Sequence, residues 1–240
     1  MTTNFYVPPD EMRGDRIVLP DDEARHARSV LRVEAGDEIV VVDGEGGWYR
    51  TRIDHVAPRQ VVGHVIETRR EVGEPDTVVT VGMGLLSKRS RFETFVEKAV
   101  EIGVRRIVPL RTRHTEVESV RADRLRRVMV AALKQCRRSR LPELAPPQSL
   151  STLLDETTAD VRLLCHGTDE GTPVATAVAP APAERVLLLV GPEGGFAPTE
   201  VDAATDAGCT PVSLGARRLR AETAGIVAAT AALLPGERRR

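Results

Sequence analysis

The chain has 240 residues and a formal net charge of −1, and its 41% hydrophobic and 29% charged residues are enough for a core beneath a polar surface. No apolar run approaches the roughly 20 residues that span a bilayer, and the start lacks the basic and apolar regions of a signal peptide, so we expect a cytoplasmic protein. The three cysteines and five histidines lack the spacing of a disulfide framework or a zinc site, so no metal is expected.

The first 70 or so residues predict a small β-rich unit with one helix. Asp21-Asp22 supplies capping side chains, and a helix-compatible pattern follows over residues 23–32. Strands are predicted at 38–42, 48–53 and 61–68, with a Gly-rich hairpin between the first two. The segment Arg70–Asp76, which contains glycine and proline, is the predicted linker.

After the linker, buried-strand sequences alternate with helical ones. Strands are predicted at 78–83, 106–110, 161–165, 185–190 and 210–214. Helices are predicted from about 92 to Gly103, and at 121–138, 198–207 and 222–234. This alternation predicts an α/β fold with a parallel sheet covered on both sides.

The helix predicted at 121–138 is strongly basic. Residues 121–140 carry eight Arg and Lys residues against one Asp, whereas residues 1–74 carry 10 Arg and Lys residues against 15 Asp and Glu residues. A local basic stripe on a nearly neutral protein is a candidate phosphate-binding face. A solvated helix face in an arginine-rich protein is the alternative, so the stripe alone leaves nucleic-acid binding open.

Two glycine-containing loops near the C-terminus carry the most specific signal. Val190-Gly191-Pro192-Glu193-Gly194-Gly195-Phe196 follows one predicted strand, and Leu214-Gly215-Ala216-Arg217-Arg218-Leu219-Arg220-Ala221-Glu222-Thr223-Ala224 follows the next. Both lie at the carboxyl ends of strands, where open parallel sheets bind ligands. Glycine allows backbone to approach a ligand closely, and arginines ahead of a helix start can hold an anionic or electron-rich group. Glycines that only turn the chain, and arginines that only face solvent, are the alternatives.

Signatures of nucleotide-binding loops are absent from the sequence. The chain has neither the Gly-x-Gly-x-x-Gly of a dinucleotide site nor the Gly-x-x-x-x-Gly-Lys-Ser/Thr of a P-loop. A nucleotide-dependent α/β enzyme is therefore disfavoured.

The two loops resemble motifs of the RsmE family of ribosomal RNA methyltransferases, which belongs to the SPOUT superfamily. The resemblance covers nearly the whole chain. It includes Phe5-Tyr6-Val7, residues 26–32, the Gly36-Asp37 and Asp43-Gly44 pattern, the stretch from Lys88 to Val104, and Gln135-Cys136-Arg137-Arg138. Such enzymes use S-adenosylmethionine to methylate N3 of one uridine in bacterial 16S rRNA.

The resemblance implies an architecture that local patterns do not reveal. It implies a PUA-like RNA-binding β-barrel at residues 1–72 and a SPOUT methyltransferase domain at residues 76–240, whose C-terminal strands and loops form a deep trefoil knot. It also implies a homodimer, and a 16S rRNA substrate within the 30S subunit or a late precursor.

The resemblance further implies that S-adenosylmethionine binds bent within the knot, largely through backbone groups. The implied cofactor-binding residues are His166, Gly167, Gly191, Pro192, Glu193, Gly194, Gly195, Leu214, Gly215, Leu219, Arg220, Glu222, Thr223 and Ala224.

Methylation of N3 requires the loss of its proton, and the residues leave two chemical solutions open. A carboxylate, Glu193 or Glu222, could take the proton, or Arg220 could stabilise the negative charge on the base oxygens. A purely structural role at a helix start is the alternative for Glu222. The residues expected to contact RNA phosphates are Arg124, Arg127, Lys134, Arg137, Arg138 and Arg217.

Three features depart from the family pattern. Arg218 stands where an aliphatic residue is usual and is expected to point outward, and Cys136 replaces a small or polar residue. The acidic balance of residues 1–74 shifts most expected phosphate contacts to residues 105–140 and 217–220.

Two rival functions also involve RNA. A SPOUT enzyme that modifies tRNA or a 2′-hydroxyl is disfavoured by the N-terminal β domain and by the Arg-x-Glu-Thr-Ala ending. A non-catalytic RNA-binding module would not bind S-adenosylmethionine, which a calorimetric titration tests.

Overall fold

The computed structural model describes residues 4–12, 14–58, 60–166, 171–178 and 184–234, which fold into two compact units. The first unit comprises Met1–Glu74 and Val130–Leu141, and the second comprises Pro75–Met129 and Pro142–Arg240. The chain first passes between them inside the segment predicted as a linker. No described helix has the length and apolar character needed to cross a membrane.

The first unit is built on a sheet that has five strands within the described residues. They are β1 (Asn4–Tyr6), β2 (Arg16–Val18), β3 (Glu38–Val42), β4 (Gly47–Ala57) and β5 (Gln60–Arg70). Their spatial order is β1-β3-β4-β5-β2, with β1 parallel to β3 and the other pairs antiparallel. Phe5, Val41 and Val61 are fully buried in the core of this unit. The predicted strands are confirmed, whereas closure of the sheet into a barrel stays a prediction.

The helix predicted at 23–32 has two parts. An α-helix, α1, spans Asp21–His26, and a π-helical segment, Ala27–Leu31, continues it. Arg32 ends the segment with a left-handed φ of 55°. Sequence periodicity did not reveal this change, because a π turn widens the helix by one residue without a distinct composition.

The second unit contains a parallel sheet flanked by helices. Its strands are β6 (Val78–Gly84), β7 (Arg106–Arg111), β8 (Glu143–Leu144), β9 (Gln148–Ser149), β10 (Val161–Cys165), β11 (Thr172–Pro173), β12 (Arg185–Val190) and β13 (Thr210–Ser213). The helices that follow α1 are α2 (Arg89–Ile102), α3 (Ala122–Cys136), α4 (Leu150–Glu156), α5 (Val174–Val178), α6 (Pro198–Asp206) and α7 (Ala221–Leu233). The boundary between the units falls within α3.

The order of the parallel strands brings the two glycine-containing loops together. Within the described residues the order is β11-β13-β10-β12-β6-β7-β8, with β9 also beside β7. Strand β10 therefore lies between β12 and β13, so the loops that follow these three strands leave from the same edge. This confirms the predicted α/β fold with a parallel sheet. The trefoil knot stays a prediction.

Apolar sequence explains why β12 lies inside the sheet. Residues 186–190 are all aliphatic and at most 2% exposed, as expected for a parallel strand covered on both faces. Beside it, β6 contributes Val79 and Val81, which are also fully buried. Helix α2 presents its predicted apolar stripe to the core and ends at Gly103, whose left-handed φ of 106° only glycine adopts without strain.

Candidate active site

A cavity of about 670 Å³ lies at the carboxyl ends of β10, β12 and β13. Its wall is formed by the two glycine-containing loops together with Cys165 and His166 at the end of β10. Parallel sheets bind ligands at this edge, because strand ends and helix starts there leave backbone groups free to face a ligand. The cavity lies wholly within the second unit.

The first loop is a tight turn fixed by close packing. The Gly195 N–H donates to the Pro192 carbonyl at 2.9 Å, and Gly195 has a left-handed φ of 72°. A Cβ on Gly84, at the end of β6, would lie 2.4 Å from Pro192 N. On the other side, a Cβ on Gly194 would lie 2.9 Å from His114 Cβ, and His114 Nδ1 lies 3.1 Å from Gly195 O. These contacts hold the loop so that mostly backbone faces the cavity.

The second loop leads directly into α7. Gly215 has a φ of 96°, and its N–H donates to Ser213 Oγ at 3.1 Å. Arg220 occupies the N-cap position, and its carbonyl accepts the Ala224 N–H at 2.8 Å. Because Ala221 and Ala224 line the cavity, the positive end of the α7 dipole faces it.

The wall of the cavity is rich in arginine. Its arginines are Arg91, Arg217, Arg218 and Arg220, and Glu193 is its only acid among the described residues. Arg218, which was expected to point outward, is exposed and also lines the cavity. This charge balance favours a ligand with anionic or electron-rich groups.

Arg91, in the first turn of α2, is flanked by two carboxylates. Its Nη1 lies 3.6 Å from Glu193 Oε1, and its Nε lies 3.7 Å from Glu222 Oε1. Ser87 Oγ also donates to Glu193 Oε1, at 2.8 Å. Glu222 is 8% exposed, and its Oε2 is buried without a hydrogen-bond partner within the described part of the chain. The two carboxylates proposed for catalysis therefore share one cation.

The environment of Glu193 keeps its carboxyl ionised. Burial by itself would raise its pKa, but hydrogen bonds from its own backbone N–H and from Ser87, together with the charge of Arg91, lower the pKa from the ordinary 4.5. Glu193 is therefore a carboxylate at neutral pH.

Cys165 also lines the cavity, but burial raises the pKa of its thiol to about 12. A protonated thiol is a poor nucleophile, so covalent catalysis through this residue is disfavoured.

Most of the residues predicted to bind the cofactor do lie together. Those that line the cavity are His166, Gly191, Pro192, Glu193, Gly194, Gly195, Leu214, Gly215, Leu219, Arg220 and Ala224. Glu222 and Thr223 do not form its wall, since Glu222 is buried and Thr223 is exposed on α7. Gly167 lies outside the described residues.

Sequence reasoning missed several residues of the wall. They are Arg91, Cys165, Val190, Phe196, Val212, Ala216, Arg218 and Ala221. Five of them lie within the two loop motifs but were not singled out there as ligand-binding residues: Val190, Phe196, Ala216, Arg218 and Ala221. Cys165 and Val212 resemble ordinary strand positions, so nothing in their sequence marks them. Arg91 is far from the loops along the chain, and the only signal was the resemblance of the stretch from Lys88 to Val104.

Of the residues predicted to contact RNA, four are exposed. They are Arg124, Arg127, Arg137 and Arg217. Arg124 also forms an ion pair with Glu93, with Nη2 3.1 Å from Oε2. A surface pair of this kind contributes little to stability and competes weakly with a phosphate.

The other two are engaged inside the first unit. Lys134 Nζ donates to Oε1 of the buried Glu23 at 2.6 Å. Arg138 is 2% exposed and donates to Glu74, with Nη2 2.7 Å from Oε2. A buried, paired arginine is not available to a phosphate, so the structure contradicts the prediction that Arg138 contacts RNA.

Both parts of the chain match families of RNA-modifying proteins. Residues 74–233 match the family described as RNA methyltransferase domain, and residues 19–66 match the RNA methyltransferase PUA domain.

Individual proteins are similar over nearly the whole chain. Ribosomal RNA small subunit methyltransferase E of Synechocystis is 31% identical, covering 95% of this chain and 76% of its own. The crystal structure of a probable rRNA-methyltransferase from Porphyromonas gingivalis has a TM-score of 0.86 at 34% identity and 98% coverage of both chains. A ribosomal RNA small subunit methyltransferase E from Neisseria gonorrhoeae, bound to S-adenosyl methionine, has a TM-score of 0.85 at 26% identity and 96% coverage of both.

Proposed function

The chain belongs to the RNA methyltransferase family that includes ribosomal RNA small subunit methyltransferase E, and we propose that it transfers a methyl group from S-adenosylmethionine to N3 of one uridine in 16S rRNA. The observation that carries this proposal is the glycine-lined, arginine-rich cavity formed by the two loops of the family motif. The similar protein from Neisseria gonorrhoeae was crystallised with S-adenosyl methionine, which supports the same cofactor here.

The cavity suits a ligand of the size and chemistry of S-adenosylmethionine. Pockets of roughly 300–1,000 Å³ hold small organic ligands, and this cavity, of about 670 Å³, lies within that range. Gly195 and Gly215 have left-handed φ values, and a Cβ on either would meet no atom within 4 Å, so their backbones border open space. Other predicted cofactor residues that line the cavity, including His166, Leu214 and Leu219, complete this surface.

When bound, S-adenosylmethionine supplies an electrophilic methyl group, whose carbon accepts the N3 electron pair while the carbon–sulfur pair returns to sulfur. The residues of the chain must hold the base in line with that carbon, exclude water and assist the loss of the N3 proton. Glu193 and Glu222 are the candidate proton acceptors, and Arg220 is the candidate for stabilising charge on the base oxygens. The ionised state of Glu193 supports its role, and the position of Arg220 on the cavity wall supports the role of that arginine.

We further propose that exposed arginines hold the RNA backbone. This set comprises Arg124, Arg127, Arg137 and Arg217, with Lys134 contributing if its bond to Glu23 opens. The target uridine has to leave its stack to reach the cavity, which favours a structured rRNA as substrate. The match of residues 19–66 to an RNA methyltransferase PUA domain supports a second RNA-contacting region.

The assembly, substrate and location expected from the sequence are part of the same proposal. They are a homodimer, a cytoplasmic enzyme, a knotted methyltransferase domain, and a substrate that is the 30S subunit or a late precursor.

The test is methylation of 30S subunits isolated from bacteria that lack this modification. The protein is incubated with them and with methyl-labelled S-adenosylmethionine, and the labelled RNA is digested and mapped by mass spectrometry. One labelled 3-methyluridine in 16S rRNA is expected. Label confined to tRNA or to a 2′-hydroxyl would assign the chain to another methylation. Absence of any label would refute the proposed methylation, and absence of calorimetric cofactor binding as well would refute the cofactor assignment.

Single-turnover rates of Arg220→Ala and Glu222→Gln test the catalytic assignments. A rate within a few-fold of the unaltered protein, at unchanged cofactor affinity, would remove the residue from the chemistry.

A further inference from the structure

We propose that Arg91 is a further catalytic residue, which donates hydrogen bonds to a carbonyl oxygen of the target uracil and stabilises the anion formed when N3 loses its proton. In this assignment Glu193 and Glu222 are positioning residues that hold the guanidinium. The inference rests on the proposed function and specifies how the site performs it.

The first support is the unused hydrogen-bonding capacity of Arg91. Its side chain is 25% exposed and lines the cavity, so the charged end reaches the space where a ligand would lie. Its distances to the two carboxylates, 3.6 and 3.7 Å, are those of ion pairs and are too long for hydrogen bonds. Within the described ranges its side chain makes no hydrogen bond, so its N–H donors remain available to a planar acceptor.

The second support is the fixed position of the two carboxylates. Glu193 is held by Ser87, whose Oγ and backbone N–H donate to its two oxygens at 2.8 and 3.4 Å. Glu222 is fixed in the first turn of α7 and is 8% exposed. Two anchored negative charges beside one guanidinium limit its freedom, which is how an active site prepares a cation for charge that develops during reaction.

The third support is that Glu222 does not form the cavity wall, whereas Arg91 does. A proton acceptor has to reach the proton that it takes, or reach it through one water. The buried Oε2 of Glu222 lacks a hydrogen-bond donor among the described residues. The charge of this carboxylate is therefore stabilised mainly by the neighbouring Arg91. Its position therefore fits orientation of Arg91 better than direct contact with the base.

The chemical step balances without a proton acceptor from the protein. The N3 proton passes to water, and the electron pair of the N–H bond stays on the base, spread over N3 and the two carbonyl oxygens. Arg91 stabilises this anion through the oxygens. The pair on N3 then forms the bond to the methyl carbon, and the pair of the broken carbon–sulfur bond remains on sulfur.

The first experiment compares Arg91→Ala with Arg89→Ala, a matched change two residues earlier on α2 at an exposed position outside the cavity. Single-turnover methylation is measured from neutral to alkaline pH with saturating cofactor and 30S subunits. We expect Arg91→Ala to lose on the order of 100-fold at neutral pH, the loss typical of a missing oxyanion donor. The loss should shrink as pH rises, because hydroxide then forms the anion without help.

Cofactor affinity, measured by calorimetry, should stay within about twofold of the unaltered protein, since this arginine is assigned to the base. Equal rates and equal pH profiles for the two variants would overturn the proposal. A loss confined to cofactor affinity would overturn it as well. If the unaltered protein transfers no methyl group, the proposed function itself fails.

A double-mutant cycle separates orientation from proton transfer. If Glu222 acts through Arg91, the variant Arg91→Ala/Glu222→Gln should be no slower than Arg91→Ala alone. Losses that multiply, or a Glu222→Gln variant slower than Arg91→Ala, would make Glu222 a direct participant and overturn its assignment as a positioning residue. Thermal unfolding of each variant shows whether a lost rate reflects lost structure.

Discussion

The lack of a side chain at Gly84 helps to set the shape of the cavity. A Cβ at this position would lie 2.4 Å from Pro192 N and 2.9 Å from Gly191 C. These are backbone atoms, so the loop itself would have to move. Because overpacking of this kind costs about 1–3 kcal/mol, we expect Gly84→Ala to weaken S-adenosylmethionine binding by about tenfold or more. Isothermal titration calorimetry measures the change.

The control lies two residues earlier on β6. A Cβ on Gly82 would meet Leu153 Cδ2 at 2.5 Å, which belongs to a core side chain and not to the loop. Gly82→Ala should therefore lower the free energy of unfolding while leaving cofactor affinity nearly unchanged. Equal losses of affinity in the two variants would contradict the role given to Gly84.

Glu193 gives the stability of the second unit a pH dependence of known sign. Its pKa in the folded protein lies below the ordinary 4.5, since the bonds from its backbone and Ser87 and the charge of Arg91 outweigh its burial. Such a carboxyl stabilises the fold above its unfolded-state pKa, and the contribution is lost as pH falls through the folded value. We expect Glu193→Gln to be less stable than the unaltered protein at neutral pH, with the two converging as the pH falls from 4.5 through the lowered pKa of the folded protein. Urea unfolding at several pH values checks this, and a gap that does not depend on pH would refute it.

At the scale of elements, the sequence pattern was sufficient to predict a strand or helix wherever its apolar residues are continuously buried. Strand β12 has the predicted bounds, because residues 186–190 form a buried apolar run covered on both faces. Strand β10 also has the predicted bounds, although it contains Arg162 and only Leu163 and Leu164 are buried. Helix α4 was missed, although Ser149 Oγ caps it by accepting the Thr152 N–H at 3.1 Å. Strands β8, β9 and β11 have two residues each and are defined only by the strand beside them, so no local pattern marks them.

The same limit applies to the candidate site. Glycines and arginines that share one loop could be identified together, because their spacing is itself the signal. The contact of Arg91 with Glu193 and Glu222 joins three segments that only the tertiary fold brings together. To predict this contact, the order of the strands in the sheet would have to be known, and residue periodicity does not determine that order.

Arg162, on β10, joins the ends of two helices. Its guanidinium donates to the carbonyls of Leu154 and Thr157, at 3.3 and 2.7 Å at the end of α4, and to that of Ala207, at 3.1 Å just after α6. Arg162→Met would leave carbonyls at both helix ends without a donor. Since hydrogen bonds to charged groups contribute about 1.5–3 kcal/mol each and such effects are not additive, we expect a loss of about 2–4 kcal/mol in the free energy of unfolding. Urea denaturation measures it.

An arginine on β12, the strand beside β10 in the sheet, provides a matched control for this loss of stability. Arg185, at the start of β12, pairs with Asp160 at 3.4 Å, and the two side chains are 50% and 41% exposed. Arg185→Met should change the free energy of unfolding by less than about 1 kcal/mol. If both variants lost the same stability, the helix-end bonds of Arg162 would not be the cause.

At the scale of the whole molecule, the chain returns to its first unit after entering the second. Glu74 accepts hydrogen bonds from the Arg138 side chain and from the backbone N–H groups of Ser139 and Arg140. This buried carboxylate fixes residues 138–140 within the N-terminal unit, so the final residues of the basic stripe stabilise the fold. Arg124 and Arg127, earlier in the stripe, are exposed and belong to the proposed RNA-contacting set. Charge counting alone treats all of them alike.

This division predicts how RNA binding should respond to salt. Each arginine that contacts a phosphate releases counterions, so the logarithm of the binding constant falls linearly with the logarithm of salt concentration. We expect Arg127→Ala and Arg217→Ala each to weaken binding to 16S rRNA and to reduce the slope by about 1. Filter binding or fluorescence anisotropy over a range of salt concentrations measures both quantities.

Arg185→Ala is the control. Arg185 is at the amino end of β12, at the opposite edge of the sheet from the cavity, so the slope for this variant should not change. Identical slopes for all three variants would contradict the proposed RNA-contacting set.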